Sequence, residues 1–278
     1  MGILFGVLAA VCWGLGDFFI TLLTRRVGGE RSLSWTQIAS LVLWVVFLVI
    51  LGAPRFTAES ILPVIAAAVL HVVGLKLTYR AFEIGTLSLV SPLASGFAVV
   101  TAVLALIFGH APAAFALAGA ALLVFGIGMA TTGERSGPRS LAGVPEAIGS
   151  ALAFGGMFYL FEGIVGQVGY LVPLVILKTL ASITFCLPHR KVVFDLKELN
   201  LPVGGLVFGV AAMDTGAWLC FLYGMRTEYV AIVTAVASLF SVVTVILAGV
   251  FLRERLRPAQ WAGVAVILAG ILVVSLPK

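Results

Sequence analysis

Apolar residues run along this chain in long blocks, and polar residues gather in the short stretches between them. A helix crossing a bilayer needs about 20 consecutive apolar residues, because the hydrocarbon core is about 30 Å thick. Ten blocks approach that length, at residues 2–23, 33–52, 60–83, 87–108, 113–132, 143–165, 170–187, 202–224, 228–251 and 258–276. The breaks carry glycine, proline and charge, as in Gly28-Gly29-Glu30-Arg31, Gly52-Ala53-Pro54-Arg55 and the stretches 133–139, 189–200 and 253–258. The pattern predicts an all-α polytopic membrane protein of ten transmembrane helices. No connection is long enough to fold into a soluble domain.

The pattern also repeats. Residues 88–108 reappear 143 positions later as 231–251, with 10 of 21 positions identical. Two apolar helices share about two or three positions by chance, since Leu, Val and Ala dominate all such segments. Further echoes extend the match: Trp13-Gly14 with Phe154-Gly155, Val27-Gly28 with Val168-Gly169, Leu62-Pro63-Val64 with Leu201-Pro202-Val203, and Ala118-Gly119 with Ala262-Gly263. The chain thus reads as two five-helix repeats, 1–138 and 139–278. An odd number of helices per repeat makes the second enter the membrane from the opposite side. Internal duplication of this kind points to a transporter.

Composition agrees: 62% of residues are hydrophobic and 10% charged, with a mean hydropathy of +1.19. The first block follows no basic residues and precedes Arg25-Arg26, the reverse of a secretory signal, so it is read as a retained helix. Cys12, Cys186 and Cys220 have no metal-ligand spacing and read as buried small residues. The net charge of +5 is a topology signal rather than a nucleic-acid one. Eleven Lys and Arg fall on one face: Arg25, Arg26, Arg31, Arg135, Arg139, Arg190, Lys191, Lys197, Arg253, Arg255 and Arg257. The other face has Arg55, Arg226 and Lys278. The positive-inside rule makes the first face cytoplasmic and puts both termini outside a cell (inner) membrane.

The second repeat reads Val242-Val243-Thr244-Val245-Ile246-Leu247-Ala248-Gly249-Val250-Phe251-Leu252-Arg253-Glu254-Arg255-Leu256, followed by Gln260-Trp261-Ala262-Gly263 and Gly270. It resembles the repeat of the EamA family in the drug/metabolite transporter superfamily, where a Glu-Arg-Leu turn precedes a helix carrying Gln-x-x-Gly. Tyr79-Arg80-Ala81-Phe82, Gly85, Ser91-Pro92-Leu93-Ala94-Ser95 and Trp13-Gly14 are similar to that family's first repeat. The first repeat departs from it, with Gly109-His110-Ala111-Pro112 in place of the turn. The resemblance implies a 5+5 carrier with a central cavity, commonly exporting amino acids, metabolites or drugs by alternating access.

Ionisable groups inside hydrocarbon cost at least about 2.5–3.5 kcal/mol each and so require a reason. Asp17 lies one turn from Trp13, and Asp214 one turn from Trp218. A carboxylate beside an indole suits a cationic or amino-bearing solute, and desolvation favours its protonated form, as proton coupling requires. Each Asp could equally cap a local break or pair with a basic residue. Lys76, Tyr79, Arg80 and Glu83 recur at one-face helical spacing. Lys76 is placed to bind a substrate carboxylate or to neutralise Asp17 or Asp214, and Arg80 and Glu83 to form an interfacial pair. His71 reads as a packing residue before a proton relay. Glu162, near Phe158 and Tyr159, is a gate or interface position, and Lys178 has no evident partner. Ser95 and Ser238 match across the repeats, and Pro92 frees the Ser88 carbonyl. Packing accounts for those serines as well as substrate contact does.

No metalloprotease motif, P-loop or second aspartate of an intramembrane protease pattern occurs, and the three histidines are scattered. The expectation is therefore a transporter rather than an enzyme, without cofactor or metal. Its partners are a small solute, the lipid bilayer and protons as coupling ion, in a monomer or weak dimer. A lipid flippase or scramblase of the same architecture is the alternative.

Overall fold

A computed structural model describes residues 2–52, 57–108, 118–119, 121–122, 125–126, 129, 141–188, 190, 196–224, 237 and 239–274. The described chain is helical throughout: α1 (Gly2–Val27), α2 (Gly29–Leu51), α3 (Ile61–Ile84), α4 (Leu87–Ala94), α5 (Phe97–Ile107), α6 (Val144–Val168), α7 (Leu171–Cys186), α8 (Leu201–Gly224), α9 (Phe240–Phe251) and α10 (Pro258–Val274). Among the described residues six segments are long and apolar enough to cross a membrane, and α7, α9 and α10 are shorter apolar helices. Backbone polar groups cannot stay unpaired in hydrocarbon, so such blocks have no alternative to helix. The protein is multi-pass. The predicted span at 113–132 and the start of the one at 228–251 lie largely outside the described residues.

One expected helix is two. The span at 87–108 breaks between Ala94 and Phe97 into α4 and α5. Pro92 has no N–H to give the Ser88 carbonyl. One turn later Ser95 Oγ donates to the Pro92 carbonyl at 2.9 Å, and the Gly96 N–H bonds Leu93 O at 3.1 Å, closing the helix in a tight turn. Elsewhere the reversals are short. Gly28 (φ 84°) turns α1 into α2 and Gly169 (φ 73°) turns α6 into α7, in a region that side chains rarely enter.

Helices pack in a reciprocal pattern. α1 lies along α8 and α3 along α6; α2 meets α7 and α8, and α3 meets α7; α1 crosses α9, and α5 crosses α6. Small residues set the closest crossings, as they do wherever lipid gives no hydrophobic drive between helices. A Cβ on Gly14 would lie 2.6 Å from Val243 Cβ, and one on Gly155 would overlap Val100 Cβ. Buried hydroxyls bond back to their own helices, for example Thr36 to Ser32 O at 2.7 Å and Thr21 to Asp17 O at 2.9 Å. Of the apolar clusters that result, the two largest join α4, α9 and α10 to α1, α3 and α6, and α2 to α3, α6, α7 and α8. Val49, Ile50, Leu62, Phe208 and Leu201 lie exposed on the outside, where a bilayer would cover them.

Candidate functional site

Between these clusters lies a cavity of about 130 Å³. It is lined from α1, α3, α4, α5, α6, α8 and α9. Counting residues at about 1.5 Å each, Asp17 sits roughly 15 Å from the end of α1, half the hydrocarbon thickness.

Asp17 projects into the cavity and is held by hydroxyls from two other helices. Ser91 Oγ donates to its Oδ2 at 2.7 Å and Thr244 Oγ1 at 3.3 Å. Asp214 lines the same cavity from α8. Its Oδ2 stands 2.8 Å from Lys178 Nζ, an ion pair. The Lys178 side chain is 1% exposed and that of Asp214 26%. Across the cavity, His71 is buried on α3 against Phe154 (centroids 5.8 Å apart), and neither ring nitrogen has a hydrogen-bond partner.

Aromatic rings supply the remaining wall. Trp13 meets Trp218 edge-on at 5.8 Å, Phe97 stacks on Phe158 at 4.8 Å, and Phe158 stacks on Trp218 at 5.5 Å. Phe240 closes the ring against Phe97 at 6.2 Å and Trp13 at 6.1 Å. Tyr79 also lines the cavity, and its OH is 2.7 Å from Thr36 Oγ1.

The end of the bundle where α1 finishes and α4 begins is bound by charge. Glu254, in the turn after α9, accepts from the backbone N–H of Leu87 (3.1 Å) and of Ser88 (2.8 Å), and from Ser88 Oγ (3.0 Å). Arg25 pairs with the same carboxylate at 3.1 Å and donates to Gly85 O at 2.8 Å. Glu83 accepts from the Gly29 N–H at 3.1 Å and from Arg80 at 2.9 Å, and Arg31 reaches Glu198 at 2.6 Å.

Asp17, Asp214, Trp13, Trp218 and Tyr79 therefore share one cavity. Lys76 does not join them. It is exposed on α3, as is Arg80, while Tyr79 turns inward, so the expected one-face stripe is divided by packing. The cation that neutralises Asp214 is Lys178. Arg80 and Glu83 form the interfacial pair at the helix end. Ser95 is buried off the cavity and bonds Ser241 Oγ at 3.1 Å; its repeat mate Ser238 lies outside the described residues. Glu162 falls on α6, with its side chain outside the described residues. Spacing gave no signal for His71 as a lining residue, for Thr244 and Ser91 as Asp17 partners, or for the Phe97, Phe158 and Phe240 wall. Among the described residues no group of three or more His, Cys, Asp or Glu is placed to hold a metal.

A multi-pass helical bundle with carboxylates and aromatics around a mid-membrane cavity has the form of a membrane transport protein. The EamA-like transporter family profile matches residues 1–132 and again 141–276. The chain belongs to that family, within the drug/metabolite transporter superfamily, and is a membrane transporter. No curated protein matches. A solved crystal structure at 15% identity is similar with a TM-score of 0.65, over 98% of this chain and 95% of that one, a likeness that shows the fold alone.

Proposed function

We propose that this protein is a secondary transporter or facilitator of small organic solutes, amino acids or other metabolites among them, working in the export direction. Transport proceeds by alternating access between two inverted five-helix repeats, 1–138 and 139–278, in the inner membrane. The Arg25–Glu254 end faces the cytoplasm, where the basic loops lie. The observation that carries the reading is the cavity itself, since both repeats contribute to it and its carboxylates sit at mid-membrane depth. Carriers bind at that depth, at the interface between repeats.

The inversion draws support from paired contacts. Gly14 packs on Phe240 and Val243, and Gly155 packs on Phe97 and Val100; the two glycines stand 141 positions apart and their partners 143. Thr244 Oγ1 lies 3.4 Å from Gly14 O, and its counterpart Thr101 Oγ1 lies 3.0 Å from Gly155 O. Each repeat thus offers its first helix to the fourth helix of the other. Asp17 and Asp214 are the solute-binding or proton-coupling groups, Trp13, Trp218 and Tyr79 are walls, and Ser91 and Thr244 orient Asp17. Lys178 holds Asp214 in place.

The test is flux in proteoliposomes of a labelled panel of amino acids, polyamines, sugars and aromatic amines, with and without a pH gradient. Saturable flux lost in Asp17→Asn is expected. Lipid movement between leaflets without solute flux would overturn the reading in favour of a flippase.

A further inference from the structure

The cavity's charge, its walls and its unsatisfied groups together specify the head group of its solute; this rests on the carrier reading above. We infer that the site receives a compact organic cation, a primary ammonium carrying a single-ring apolar body, and selects against carboxylate-bearing molecules of the same size.

The charge is the first reason. Among the described lining residues the acidic side chains are Asp17 and Asp214, and none is Lys or Arg. Lys178 is almost fully buried and already committed to Asp214. Lys76 and Arg80 point away, exposed on the outer side of α3. With Asp214 neutralised by Lys178, the site is net negative whenever Asp17 is ionised. An incoming carboxylate would meet a like charge in a low dielectric with no lining cation to offset it. An ammonium would complete the charge balance.

The unpartnered groups are the second reason. His71 is 4% exposed, and both its ring nitrogens lack a partner. A buried polar group left unbonded is costly, so ligand atoms that satisfy it are favoured. An ammonium carries three donors, and an ionised carboxylate or the acceptor nitrogen of a neutral imidazole in this cavity can accept from it.

The walls are the third reason. Trp13, Phe97, Phe158, Trp218 and Phe240 line the same cavity as the carboxylates, and a desolvated cation gains from any aromatic face it reaches. The cavity is about 130 Å³, well below the roughly 300–1,000 Å³ of sites for drug-sized ligands, which limits the body to about one ring.

The experiment compares one apolar body with four heads. Binding of phenethylamine, phenylalanine, 3-phenylpropionate and 2-phenylethanol to the purified full chain in nanodiscs is measured near pH 7 by quenching of tryptophan fluorescence, with calorimetry as a check. Phenethylamine is expected to bind at least about tenfold tighter than either carboxylate compound, with the alcohol between. In Asp17→Asn the amine's advantage over the alcohol should shrink to about twofold or less. Trp13→Leu, which leaves the carboxylates untouched, should weaken the amine more than the alcohol. Tightest binding of a carboxylate compound, equal binding of all four, or no binding of the amine would each overturn the inference. The wild-type series decides even where a variant does not fold. Flux of another solute without amine preference refutes this inference alone, whereas lipid movement without any solute flux refutes the carrier reading.

Discussion

Neutralising Glu254 should loosen the end of the bundle that it ties. The carboxylate accepts three bonds from Leu87 and Ser88 at the start of α4 and pairs with Arg25 on α1, while itself sitting in the turn after α9. It therefore ties α1 and the start of α4 to the turn after α9, across the gap that the proposed alternating access would widen on this side. Hydrogen bonds to a charged group contribute about 1.5–3 kcal/mol, against about 1 kcal/mol for neutral ones. The favourable field of a helix N-terminus adds about 0.3–1 kcal/mol. The Glu254 side chain is 10% exposed and that of Arg25 24%, so solvent screens the group only partly. Glu254→Gln keeps an acceptor for the α4 amides but loses the ion pair and the charge assistance, a cost of about 2–3 kcal/mol to the closed arrangement. If these contacts exist only when this end is closed, the equilibrium shifts towards opening by roughly 30- to 150-fold. The assay is labelling of Ile20→Cys, a cavity residue, by a membrane-impermeant maleimide added from the basic side, in a background lacking Cys12, Cys186 and Cys220. Labelling should accelerate at least about tenfold in Glu254→Gln and in Arg25→Gln, and less than additively in the double variant, since the two share one contact. Unchanged or slower labelling in a folded Glu254→Gln protein would refute the latch.

Other outcomes follow from the same geometry. Lys178→Met and Asp214→Asn should each destabilise the protein by about 3–5 kcal/mol, because either leaves one member of a buried ion pair without the other. The double variant should recover most of that loss, read as Tm in nanodiscs; equal damage in single and double variants would disprove the pairing. Gly14→Ala and Gly155→Ala should each cost about 1–3 kcal/mol and reduce flux to a similar extent, since each added methyl meets backbone or a β-branched side chain of the opposing helix. A wild-type Tm in either would show that the crossing is looser than described. His71→Leu removes two buried, unbonded nitrogens, so Tm should hold or rise while phenethylamine binding falls. Loss of Tm in that variant would mean that His71 serves packing and not the solute.

The spans were legible because membrane crossing is a local demand. A run of some 20 apolar residues must close its own backbone hydrogen bonds, and nothing distant alters that requirement. Trp13 and Asp17, and likewise Asp214 and Trp218, stood out for the same reason: a charge or an indole inside such a run is conspicuous wherever its neighbours lie. Lys76 shows where that reasoning stops. It was as conspicuous as Lys178 and shared a helical spacing with Tyr79, yet it lies exposed. These helices are apolar on nearly every face, so periodicity does not mark which side turns inward.

The sequence by itself marked the apolar segments that the described residues form as helices, the breaks at Gly28 and Gly169, the EamA-like motifs and the residue types available for binding. Only the tertiary structure decided which of those residues meet. Lys178 finds Asp214, Ser91 and Thr244 find Asp17, and Glu254 finds the start of α4 across 166 residues of chain. The reason is physical: helix formation in lipid is settled within each segment, whereas charge pairing and capping between segments depend on contacts that no single segment encodes.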